Sequence, residues 1–280
     1  MRSSAFRQIL SRAARHLVLA AVAFVYMYPF LWMLSGSLKT DQEFFSSALK
    51  LLPGRFIWSN YGEAWGAAGF GMYFANTFLI ASMATAAVIV FTSMAGYALA
   101  RSSFPGKKFL IGVVLVTLFL PSGYTIVPIF ELIMRLKLLN TLWAVIIVNA
   151  AGGMTFNTFL FIAYFSSIPK ELEESAEIDG ASPLTIYWRI GLPLALPMVG
   201  AVALFEFIGN WNSFFVPLVF TLGRSDLRTV AVGMYAFVGQ HSVDWTLMCA
   251  AATISLLPTM LLFFVLHRLF IKGVASAIKG

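Results

Sequence analysis

"ELEESAEIDGASPLTIYWRIGLPLALP", residues 171–197, opens with five carboxylates (Glu171, Glu173, Glu174, Glu177, Asp179) and ends in an apolar run punctuated by two prolines. Capping chemistry reads it as two helices joined by a turn. Ser167 is the expected N-cap and Pro169 fits the first turn, while Glu171, Glu173 and Glu174 lie where the helix dipole favours negative charge. Gly180 supplies a left-handed stop, and Ser182 followed by Pro183 starts a second helix that leads through Ile190-Gly191-Leu192-Pro193 into the apolar run. Taken alone, the charge run is an ordinary solvated face. Its meaning depends on what surrounds it.

What surrounds it is apolar. The 280 residues are 60% hydrophobic and 11% charged, with mean hydropathy +0.85, where soluble domains carry about a quarter charged residues. The expected class is an all-α integral membrane protein. A formal charge of +7 would suggest nucleic acid in a soluble chain, but here the basic residues flank apolar runs as juxtamembrane anchors do. Nucleic acid is therefore not an expected partner; the lipid bilayer is. The single cysteine, Cys249, has no disulfide partner in the chain and no Cys/His companions, so no metal site is expected. Arg2, Arg7, Arg12 and Arg15 before an apolar stretch imitate a signal peptide, yet the stretch is long and reads as an uncleaved first span.

A spanning helix needs about 20 mainly apolar residues. Suitable runs occur at 17–38, 64–100, 109–130, 138–169, 190–223 (interrupted only by Glu206) and 245–267. The second and fourth runs are longer than one crossing, and their helices are expected near 73–98 and 142–165. The expectation is six transmembrane helices, with the acidic loop between helices 4 and 5. Placing both termini in the cytoplasm puts twelve Lys/Arg on the inner segments and seven outside, as the positive-inside tendency asks. Tyr28, Trp32, Trp65, Tyr73, Trp143 and Trp245 would form an outer aromatic belt. Pro29, Pro121, Pro128, Pro193, Pro197, Pro217 and Pro258 fall in spans, where they bend helices. The paired glycines of "NAAGGMTFN", 149–157, suggest close helix packing.

The order of residues in the acidic loop resembles the EAA loop of permease subunits of bacterial binding-protein-dependent ABC importers. Glu174, Ala176, Asp179, Gly180, Ala181, Ile190, Leu192 and Pro193 carry the resemblance; Ser175 stands where that family usually has alanine. "YPFLWMLSGSLKT", "NYGEAW", "YFANTFLIA", "WNSFFVPL" and "IKGVASAIKG" extend it over nearly the whole chain, toward the MalG-like subunits of the carbohydrate branch. Ala277 departs from a common glycine in the tail.

The resemblance implies a subunit of an ATP-driven sugar or oligosaccharide importer in the bacterial inner membrane, working by alternating access. Residues 1–70 would hold the N-terminal arm, first span and an extracytoplasmic segment, 71–267 the transporter domain with its coupling loop at 167–190, and 268–280 a cytoplasmic tail. In that family the loop is a coupling helix seated on a cytoplasmic ATPase. Glu174, Ser175, Ala176, Asp179, Gly180 and Ala181 would be the coupling residues here, with Gly180 making the turn and the alanines permitting close approach. The implied partners are a second, MalF-like permease, two ATPase subunits that use ATP and Mg, and an extracytoplasmic solute-binding protein meeting segments 39–71 and 221–245. The chain has no GxxxxGK[ST], and "PGKK" at 105–108 does not supply one. An enzymatic role is not expected.

Glu206 would lie about 20 Å along the fifth span at 1.5 Å per residue, and an intramembrane carboxylate is a functional hypothesis by default. Asn210 and Ser213 share its face, with Trp211 and Asn212 beside them. The five form a candidate translocation pathway, since hydroxyl-matching groups and an aromatic face suit a sugar. The competing reading is a polar seam fastening two helices. Asn149, Asn157, Ser122, Tyr124 and Asn76 are secondary candidates. His16, His241 and His267 make no catalytic set. The rival function is an ion-coupled secondary transporter using Glu206 as its proton site, since such carriers also combine broken helices with buried acids.

Overall fold

The computed structural model describes residues 2–46, 50–66, 69–119, 125–237 and 243–279, with side chains from 12 to 267 except 235 and 236. Pro121, Ser122, Tyr124 and His241, and the side chains of Arg2, Arg7 and the 271–280 tail, lie outside the described residues. In chain order the helices are α1 (Arg2–Gly36), α2 (Asp41–Ser46), α3 (Ser59–Gly66), α4 (Phe70–Arg101), α5 (Lys107–Thr117), α6 (Ile126–Arg135), α7 (Leu142–Ser167), α8 (Glu171–Ile178), α9 (Pro183–Ile186), a π-turn (Tyr187–Gly191), α10 (Leu192–Leu194), α11 (Leu196–Trp211), α12 (Phe215–Phe220), α13 (Val230–Gly233) and α14 (Trp245–Lys279).

Among the described residues four helices are long and apolar enough to cross a membrane: 12–36 of α1, α4, α7 and 245–267 of α14. The α9–α10 and α11 segments make a fifth if their 73° bend is one broken span. The bend follows from sequence. Pro193 and Pro197 stand at the openings of α10 and α11, where each removes a backbone donor and its ring obstructs the preceding turn. The crossing expected over 190–223, with prolines as its bends, is broken as they suggest: α11 stops at Trp211 and a short α12 follows. The third expected span covers 109–130. Its described residues form α5, 11 residues, and α6, 10 residues, each about 15 Å long and short of a bilayer.

The chain divides into two compact units, Met1–Phe70 with Met234–Leu256, and Gly71–Gly233 with Leu257–Gly280. In the first, Phe44 packs on Trp32 and Trp245. The Asn60 amide donates to the carbonyls of Ser37 and Lys39 at 2.9 Å each, closing the turn after α1. In the second, Ala84, Val88, Phe161, Phe165, Tyr187, Ala195 and Val202 make the largest core. A second core joins Ile80, Ile133, Val145 and Phe220, so α6 is a packed amphipathic element. Tyr73, expected in the outer belt, is instead buried against Gly233.

Candidate functional site

The turn at 167–191 begins where α7 is forced to end. Ile168 precedes Pro169 and is extended (φ −78°, ψ 132°), the conformation that a following proline imposes. Ser167 is therefore not the N-cap expected of it: it is the last residue of α7, and its hydroxyl donates to the Tyr164 carbonyl at 2.7 Å. Helix α8 starts after Lys170, which offers no side-chain cap, and the dipole is met by the three glutamates of the first turn.

At the other end the Ala181 N–H bonds to the Ala176 carbonyl and the Gly180 N–H to that of Glu177, both at 3.0 Å, with Gly180 at φ +81°. These are the paired bonds of a Schellman stop, and the positive φ is what requires glycine. Ser182 then caps α9 by accepting from the Thr185 N–H, with Pro183 at the first position. From Pro183 the backbone is helical without interruption to Leu194, so the turn is continuous with the broken span.

The six expected coupling residues are brought together here. Glu174, Ser175, Asp179 and Gly180 are exposed and Ala176 and Ala181 half-buried; the Ser175 hydroxyl donates to the Glu171 carbonyl. Sequence reasoning missed Glu173. It is buried while the other glutamates of α8 are exposed, with Oε1 accepting from Arg101 Nε at 2.8 Å and Oε2 from the Tyr97 hydroxyl at 3.1 Å. Arg101 also donates to the Ile168 carbonyl at 2.9 Å. The Tyr97 ring packs against Phe165 and Tyr187 and over Gly191.

Within the apolar helices, α7 and α11 meet along a polar ladder. Asn157 Nδ2 donates to Glu206 Oε1 at 2.6 Å and to the Gly153 carbonyl at 2.7 Å. Two turns away the Ser213 hydroxyl reaches Asn149 Oδ1 at 3.5 Å. Asn210 lies between these rungs, buried, and its amide nitrogen has no hydrogen-bond partner. Glu206 is thus half-buried and joined to α7. Trp211 is buried with its ring against Phe74 and Phe207, and Asn212 is exposed, donating to the Ile208 carbonyl. Asn149 and Asn157, secondary in the sequence, are the partners of the primary candidates. Asn76 lies apart from them, donating to the Asp226 and Arg228 carbonyls.

The structure thus holds a bent, proline-broken helix pair led by a capped polar turn, and comparison with known proteins supplies the class. Residues 89–276 match the family model described as binding-protein-dependent transport system inner membrane component. The chain belongs to that family of ABC transporter permeases and is a multi-pass inner membrane component. It is 32% identical over 266 residues to a melibiose/raffinose/stachyose import permease protein of Bacillus subtilis, covering 94% of this chain and 95% of that one. It is 32% identical over 257 residues to the diacetylchitobiose uptake system permease protein of Streptomyces coelicolor, covering 91% and 85%. Its fold matches a chain of a bacterial ABC transporter involved in import of the acidic polysaccharide alginate, with TM-score 0.81 over 92% of this chain and 95% of that one, at 23% identity.

Proposed function

We propose that this chain is one of two permease subunits of an ATP-driven importer for a sugar or oligosaccharide, spanning the membrane six times with both termini cytoplasmic. The carrying observation is the capped α8–α9 turn, whose helical backbone runs from Pro183 into the broken span. A rigid turn of this kind can carry a displacement where a loose loop cannot. Glu174, Ser175, Ala176, Asp179, Gly180 and Ala181 dock on a partner ATPase. Two ATPase subunits bind and hydrolyse ATP with Mg, and a solute-binding protein delivers substrate on the far side. The relatives named for diacetylchitobiose uptake and for melibiose, raffinose and stachyose import support the substrate class.

On the membrane side, Glu206, Asn210, Trp211, Asn212 and Ser213 border the route. Half-buried Glu206 and exposed Asn212 present polar groups to it, while Asn210 and Trp211 back them. The chain contributes binding, shape and movement, not chemistry.

The test is purification of the tagged chain in mild detergent with mass spectrometry of what accompanies it, followed by uptake in liposomes. Co-purification of an ATPase and a second permease, with ATP-dependent sugar uptake, supports the reading. Transport by this chain alone without ATP overturns it and makes Glu206 the coupling site of a carrier.

A further inference from the structure

We infer that Glu173 is a positioning residue that ties the coupling turn to a second span, α4, in addition to the covalent path through α9. The inference rests on the importer reading above. It starts from an asymmetry: α8 carries four glutamates, and the one whose side chain is buried is held by two donors from the end of α4. The side chains of Arg101 and Glu173 are 9% and 10% exposed. A carboxylate so removed from water is costly unless paired, and removing one partner of such a pair leaves an uncompensated buried charge.

The geometry is a three-way joint. Arg101 grips Glu173 of α8 with Nε and the carbonyl of Ile168, beyond the end of α7, with a terminal nitrogen. Tyr97, one turn earlier on α4, holds the other carboxylate oxygen and wedges its ring against Phe165 and Tyr187. Ser93, one turn earlier again, shares a buried 2.7 Å hydrogen bond with the Tyr187 hydroxyl. Along three successive turns, α4 therefore grips α8, the end of α7 and the π-turn. A push on the α8–α9 turn cannot reach α11 through the covalent path without also loading α4, and Glu173 is where α8 itself is attached. The two paths make the turn move as one body with two spans.

The test uses the full importer in proteoliposomes, with the wild type, Glu173→Gln, Arg101→Lys and Tyr97→Phe compared by sugar imported per ATP hydrolysed. Glu173→Gln keeps the shape and removes the charge; it is expected to retain its ATPase subunits on purification while the ratio falls by about tenfold. Arg101→Lys keeps the charge but not the fork and should fall less, and Tyr97→Phe least. A wild-type ratio in Glu173→Gln overturns the inference, as does loss of the ATPase subunits from that variant, which would make Glu173 a docking residue. A wild-type complex that imports no sugar with ATP overturns the importer reading itself, and the inference with it.

Discussion

The Glu206 carboxylate fills the space that a side chain on Gly153 would need: a Cβ built there would stand 2.6 Å from Oε2 and 2.8 Å from Oε1. The close approach of α11 to α7 is thus bought by a glycine at one position. Its neighbour Gly152 faces open space, with nothing within 4 Å of a Cβ.

The two glycines should therefore respond oppositely to alanine. Gly153→Ala must push the carboxylate off Asn157 or part the helices, a loss of about 1–3 kcal/mol for overpacking. Gly152→Ala is expected to be neutral or stabilising by up to about 1 kcal/mol through helix propensity. Thermal unfolding of the two variants in detergent decides it; equal midpoints would mean that α7 and α11 do not meet as described.

Gly96→Ala should be worse than Gly153→Ala. Its Cβ would lie 2.5 Å from Phe161 Cβ and 3.1 Å from the Ile162 nitrogen, a side-chain root and a backbone atom that no χ rotation can move away as it can a carboxylate. The same unfolding measurement, with folded yield alongside, ranks the pair, and a milder effect at Gly96 would refute the packing of α4 on α7.

The Ser93 and Tyr187 hydroxyls form a buried pair. Tyr187→Phe and Ser93→Ala are each expected to cost about 1–2 kcal/mol by leaving a partner unsatisfied. The double variant should lose less than the sum, because the second change removes a group already orphaned. Strict additivity in a double-mutant cycle would show that the bond contributes nothing.

Gly180→Pro cannot reach φ +81°, since proline locks φ near −65°. Glu174→Arg reverses charge on an exposed position of α8. Under the proposed function both insert normally and lose coupled transport; wild-type uptake per ATP in either would remove that residue from the coupling set.

The Arg224 guanidinium bonds Asp226 through both carboxylate oxygens, at 2.8 and 2.6 Å, and this hydrogen bonding holds the Asp226 carboxyl below the usual carboxylate range. A depressed acid contributes stability above its unfolded pKa and loses it as pH falls through the lower, folded value. Both side chains are well exposed, so the contribution is screened and small. Hydrogen exchange of the 224–228 backbone is expected to be constant through neutral and mildly acidic pH, apart from the intrinsic rate. Protection lost already near pH 6 would contradict the pairing.

Much of this architecture is legible in composition and punctuation. Hydropathy places α4 and α7 within a few residues, because a long apolar run has one way to satisfy its backbone in lipid. Gly180, Ser182 and Pro183 announce the turn, because each has a local conformational reason to be there. What depends on neighbours distant in sequence is not legible. Nothing in "ELEES" distinguishes Glu173 from Glu171 or Glu174, since the choice is made by Arg101 and Tyr97, more than seventy residues away. Ser167 looked like a cap because capping residues also end helices, and Pro169 decided which. The packing of α6 is hidden for a related reason: hydropathy counts apolar residues without showing that those of α6 join a core with Ile80, Val145 and Phe220.

The elbow at Ala195 has a mechanical consequence. The arm over 183–194 is about 18 Å long and α11 about 24 Å, at 1.5 Å per residue. A swing of about 10° around the elbow moves the outer tip of the short arm by about 3 Å and the far end of α11 by about 4 Å. Under the proposed function the element is a crank with a gain near one, with little amplification, so any opening made at the far end would be set by how far the near end is driven.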